Sequence, residues 1–153
     1  MNTRYQLQRV ARAVAMAAVA FPLAAFAAAP SVTVTADPDQ VWPPNGKPVV
    51  VTVSGTITDT GTGVNFDTVS YNVADEYASV QPAGQFTLNP DGTFSFTVTL
   101  TARRYGSDRD GRVYTITVLA ADGAGVVGGG TATVTVPHDR RGGGHGGGNG
   151  HSK

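Results

Sequence analysis

Gly111-Arg112-Val113-Tyr114-Thr115-Ile116-Thr117-Val118-Leu119-Ala120-Ala121-Asp122-Gly123-Ala124-Gly125 is the stretch on which the fold turns. It opens at a Gly-Arg turn and closes in an Asp/Gly turn. Between the turns, Tyr114, Ile116, Val118 and Ala120 share one face while Thr115 and Thr117 point the other way. A period of two with one apolar face predicts a β-strand packed on a core.

Outward from this strand, the same alternation recurs. Residues 31–36 interleave Val32 and Val34 with threonines. Residues 49–58 place Val49, Val51, Val53 and Ile57 on one face, with Gly55 predicting a bulge or a close approach of another backbone. Residues 67–73 turn Val69, Tyr71 and Val73 inward. Residues 85–88 and 93–100 flank Asn89-Pro90-Asp91-Gly92, a tight-turn sequence that predicts a hairpin. The second arm puts Phe94, Phe96, Val98 and Leu100 inward. Gly128-Gly129-Gly130 reads as a flexible lead into a last strand at 131–136. The run 42–48 is too rich in proline for a central strand or a helix. Seven short strands, with no helical periodicity beyond the N-terminal segment, predict an all-β, antiparallel, seven-stranded β-sandwich.

The two ends of the chain read differently. Arg4, Arg9 and Arg12 precede an apolar run at 13–24 and the small residues of Ala25-Phe26-Ala27, the pattern of an export signal (1–27) cut after Ala27. One domain at 28–139 follows, then a tail at 140–153 with seven glycines, expected to be disordered. Without Arg4, Arg9 and Arg12, eleven basic side chains become eight against eleven acidic, a net of −3. That balance argues against nucleic acid as a partner. No cysteine is present, so neither a disulfide nor a lipidated cysteine contributes. The expected product is exported, periplasmic or extracellular, with no membrane span once the signal is removed.

Across nearly all of residues 41–139, the chain resembles secreted bacterial immunoglobulin-like (Ig-like) modules. Tyr-x-Ile-x-Val followed by Ala120-Ala121-Asp122-Gly123-Ala124-Gly125 is similar to their late strands, with Val126 where Asn is frequent. Further signatures are Trp-Pro-Pro-Asn-x-Lys (42–47), Asp-Glu-Tyr-x-x-Val-Gln-Pro-x-Gly (75–84) and Ser-Phe-Thr-Val-x-Leu (95–100). Arg-x-Gly-x-Asp-x-Asp-Gly-Arg (104–112) and Val-Pro-His-Asp (136–139) complete the series. The resemblance implies an Ig-like fold outside the cytoplasm, with no catalytic residues, and places Tyr114 where such folds hold a tyrosine corner.

If the strands alternate up and down, the connections at 42–47, 75–84 and 103–111 and the pair His138-Asp139 gather at one end. The other end receives 60–63, 89–92 and 123–130, mostly Gly and Thr. The gathered end is the candidate site, with Trp42, Lys47, Tyr77, Arg104, Arg112 and Tyr114 as its structural or interaction residues. Its charges read first as an ion-pair network that pins long loops. The sharper alternative is calcium, which takes six to eight oxygens, held by Asp75, Glu76, Asp108, Asp110 and Asp139. Asp108-Arg109-Asp110 is similar to the Asp-Arg-Glu segment of cadherin domains. Trp42 reads as a residue sealing the core, or as a platform for a sugar ring. His138, His145 and His151 read as solvated, or as weak metal ligands in the tail. No Cys, and no His within the strands, stands ready to serve a nucleophile, so no enzyme is expected. The expected function is interaction, adhesion or spacing at the cell envelope, with a protein or glycan partner and no cofactor beyond possible calcium. The rival readings are a calcium-stabilised cadherin-like surface module and a carbohydrate-binding module.

Overall fold

β-Branched and aromatic residues in strict alternation favour a pleated, half-buried surface, and β6 (Arg112–Ala121) is such a strand, at the heart of one sheet. The computed structural model describes residues 28–139. The expected export signal (1–27) and glycine-rich tail (140–153), with His145 and His151, lie outside the described residues. Among those described, no helix is long and apolar enough to cross a membrane.

β6 pairs antiparallel with β3 (Ser70–Asp75) on one side and β7 (Val127–Val136) on the other. β4 (Ala83–Gln85) adds to the far edge of β3, giving the order β4-β3-β6-β7. The second antiparallel sheet has the order β1-β2-β5, from β1 (Ser31–Asp37), β2 (Pro48–Thr58) and β5 (Thr93–Thr101). Residues 28–139 are therefore all-β, with seven strands in antiparallel sheets of three and four.

The apolar faces of both sheets enter one buried cluster. Val51, Val53 and Leu100 come from the smaller sheet, and Tyr114, Ile116, Val118 and Val134 from the larger. The face expected of β6 is buried throughout.

Four local readings are corrected. The segment expected to be the first arm of a hairpin at 85–88 mostly leaves the sheets. The strand is Ala83–Gln85, and it pairs with β3 rather than β5. A single bridge, Leu88 with Phe94, is what remains of the hairpin around the Asn89–Gly92 turn. Aromatic packing explains the change. Gly84 lies beneath the Tyr71 ring, where a Cβ would come within 3.3 Å of it. Phe86 turns in to stack on Phe96 at 4.8 Å and to meet Phe94 at 5.0 Å.

The strand expected from residue 67 starts at Ser70. Asn65 accepts from the Asp67 N–H and caps a 3-10 turn, Phe66–Thr68. Glycines 128–130 are not a flexible lead but belong to β7. A Cβ at Gly128 would lie 2.0 Å from the Pro30 carbonyl oxygen, and one at Gly130 2.4 Å from that of Val32. Their bareness is what lets β1 lie against β7. Gly55 does meet another backbone, with a Cβ there falling 1.9 Å from Thr33 O. Lastly, Trp42 does not seal the core: it is 41 % exposed, and Val41 beside it is buried at 3 %. Val41 is drawn in by its N–H bond to Thr135 O on β7.

Candidate functional site

The strands deliver four segments to one end, as expected. Gly46 N–H bonds Ala102 O at 2.7 Å, tying the first connection to the third. Tyr77 donates its hydroxyl to Asp108, tying the second to the third. Arg104 Nη2 donates to His138 O at 2.8 Å, tying the third to the end of β7.

At the centre of this end is a buried ion pair. Asp75 closes β3 and Arg112 opens β6; Asp75 pairs in register with Tyr114, two residues along from Arg112 on the same face of β6. Arg112 Nε donates to Asp75 Oδ1 at 2.8 Å and Nη2 to Oδ2 at 2.6 Å, a two-pronged contact that fits guanidinium to carboxylate. Nη1 donates to Arg103 O. The guanidinium lies between the rings of Tyr77 and Tyr114, 4.6 Å from each centroid. Asp75 also accepts the N–H groups of Tyr77, Ser79 and Val80, which folds residues 75–80 around its carboxylate. Burial alone would raise the pKa of this carboxyl. Arg112 and the three N–H groups outweigh burial and hold it well below the usual carboxylate range. For Arg112, burial opposes the charge and Asp75 restores it, leaving the guanidinium above its ordinary value.

Around this pair the remaining residues divide into braces and surface. Tyr114 donates to Thr101 O at 2.8 Å and accepts from Thr101 N–H at 3.3 Å, joining the two sheets through one hydroxyl. Burial pushes that hydroxyl's pKa up. Tyr77 Oη receives the Tyr105 N–H while donating to Asp108, and its pKa rises through burial and then through that carboxylate. Asp108 is lowered first by the Tyr77 hydroxyl, and Gly111 N–H adds to this. Glu76 accepts the Val113 N–H at 2.9 Å.

Of the five acids considered for calcium, three are engaged by separate partners. Asp75 is saturated by Arg112 and the backbone, Glu76 caps Val113, and Asp108 holds Tyr77 and Gly111. Asp110 is exposed, and Asp139 lies 3.0 Å from His138 Nδ1. Among the described residues, no three His, Cys, Asp or Glu side chains form a group that could hold a metal ion.

The surface part holds a recess of about 190 Å³ lined by Tyr77, Thr101, Arg103, Tyr105 and Arg112. Tyr105 is 53 % exposed and leans on Tyr77, with ring centroids 4.4 Å apart. The Arg103 guanidinium lies 6.0 Å from the Tyr105 centroid. Lys47 is exposed at the same end, its N–H held by Asn45 Oδ1. Tyr105 was not among the residues singled out from sequence. The signal was there in a lone aromatic inside a charged connection, since an aromatic with no apolar alternation around it has no core to enter. Chemically, the recess presents two phenol faces and a guanidinium on a stiff frame. Comparison with family models, with curated proteins and with solved structures finds no match to this chain.

Proposed function

We propose that this chain is an exported, non-enzymatic module whose two sheets form an Ig-like β-sandwich, and that it contacts a protein or glycan at the cell envelope through the Tyr77–Tyr105 end. The observation that carries the reading is exposed Tyr105 beside Arg103, on a connection that Arg112 holds through Arg103 O, with exposed Trp42 on the connection that Gly46 N–H ties to Ala102 O. Tyr, Trp and Arg are the residues that dominate binding surfaces, because they offer large area at small entropic cost. Support for a sandwich comes from the shared core of the two sheets and from Tyr114 bridging them.

The test is binding of the purified chain to a glycan array and to envelope proteins captured by cross-linking, repeated with Tyr105→Ala and Trp42→Ala. Both positions are exposed, so the variants should melt like the parent. Loss of a common set of partners in both variants is expected. Partners retained by both would remove this end from the function.

A further inference from the structure

The end opposite the tyrosines is not chemically plain. A groove of about 530 Å³ lies beside the 3-10 turn, with Phe66, Val69, Phe86 and Leu88 as its apolar lining. A second cavity of about 260 Å³ adjoins it, sharing Phe66 and Leu88 and continuing past Ile57 and Val64. Phe66 stands between the two, 48 % exposed. The combined space is of the size that holds small ligands or side chains.

Charge then says what could fill it. Asp67 borders the first cavity, and Asp59 and Asp91 border the second. No Lys, Arg or His lines either one. Every Lys and Arg among residues 28–139 sits at the tyrosine end: Lys47, Arg103, Arg104 and Arg109 in its connections and Arg112 at the start of β6. The Asp67 carboxylate has no partner among the described residues. Asp59 spends one oxygen on the Gly61 and Gly63 N–H groups, while its Oδ1 is shielded from solvent and meets no donor among the described residues. The exposed Asp67 carboxylate at the rim is the acceptor that a cationic donor satisfies best, and Asp59 and Asp91 add negative charge beside it.

The backbone adds direction. One wall of the groove is the chain as it leaves β4, which pairs only with β3 and is the edge of its sheet. An open edge is where an extended segment finds free N–H and C=O groups.

We propose that this groove docks an extended peptide carrying an apolar side chain flanked by Lys or Arg. The apolar side chain enters beside Phe66 and Phe86, and the flanking cations meet Asp67 and Asp59. This site is separate from the tyrosine end, and neither depends on the other.

The test titrates the isotope-labelled full chain with an acetylated Lys-Leu-Lys-Phe-Lys amide, followed by amide chemical shifts, with a Glu-for-Lys peptide as the control. Shifts confined to 57–69 and 85–92 are expected, weakening as salt rises to about 0.5 M. Asp67→Asn should weaken binding about three- to tenfold, as loss of one charge-assisted contact does. Phe66→Ala should weaken it about tenfold, with a melting curve recorded alongside to separate lost binding from lost fold. The proposal is overturned by no shifts, by equal binding of the Glu peptide, or by shifts centred on Trp42 and Tyr105. It is equally overturned if binding appears only when residues 140–153 are removed, which would give the groove to the chain's own Arg140-Arg141 tail. Self-association in place of peptide binding would assign it to a second copy and overturn the proposal as well.

Discussion

Replacing Asp75 by Asn separates two jobs that one carboxylate performs. The substitution keeps the volume but removes the charge, leaving Arg112 buried at 2 % exposure between two phenol rings without its counter-ion. Breaking a buried pair from one side costs about 3–5 kcal/mol. At about 5 °C per kcal/mol for a domain of this size, melting should fall by roughly 15–25 °C. Arg112→Met should cost less, about 2 kcal/mol, because the stranded carboxylate keeps three backbone N–H donors and the Met stem still fills the slot between the rings. Differential scanning calorimetry and urea titration measure both, and the double variant gives the coupling.

The ordering is the sharp part. A loss below about 1 kcal/mol for Asp75→Asn, or a larger loss for Arg112→Met, refutes the account in which Asp75 organises the loop and Arg112 depends on it. The pH dependence has a definite sign. Because the folded-state pKa of Asp75 is depressed, its contribution is complete above the unfolded value of about 3.9 and drains away as pH falls toward the folded one. Parent stability should therefore decline below about pH 4, and the decline should be smaller in Asp75→Asn.

Tyr114→Phe removes the hydroxyl that bonds both the N–H and the C=O of Thr101, and should cost about 1–2 kcal/mol by urea denaturation. Gly130→Ala drives a methyl into the Val32 carbonyl and should cost about 3 kcal/mol or more. Gly129→Ala meets chiefly the movable Leu119 side chain and should stay within about 1 kcal/mol, so equal losses at the two sites would discredit the close β1–β7 contact. Melting in excess calcium and in chelator tests the calcium reading directly: the curves should coincide if Asp75, Glu76 and Asp108 keep their present partners, and a rise in melting temperature with calcium would support a cation at this end.

Much of the framework was legible because period-two alternation is a local property. The inward faces of β2, β5 and β6 follow from Val51, Val98 and Ile116 and their neighbours, with no tertiary information required. The convergence of the loop connections was legible too, since alternating strand direction decides which connections share an end. The choice of neighbour was not. Residues 85–88 precede the turn chemistry of a hairpin, yet Gly84 beneath the Tyr71 ring lets the chain pair with β3 in the other sheet, and only Phe86 reaches back to Phe96 on β5. Glycines 128–130 show the same limit, because composition reads three glycines as slack while the fold uses their bareness for contact. At the site, the acids were visible but their allegiances were not. Five carboxylates read alike in the sequence, and only the placement of Arg112, Tyr77 and the Val113 N–H shows that Asp75, Asp108 and Glu76 each have a partner.

The contact of β1 with β7 also decides how the module bears load. The two strands run the same way, with Gly128 against Pro30, Gly130 against Val32, and Gln40 bridged in parallel to Thr135. β1 therefore starts at the groove end, and β7 finishes at the tyrosine end. Tension applied between residues 28 and 139 pulls these neighbours lengthwise past each other, so their contacts are strained together and not peeled one by one. Forced opening then follows the unfolding barrier of the whole strand pair. The glycines that look like the weakest stretch of the sequence lie in the seam that would have to slide.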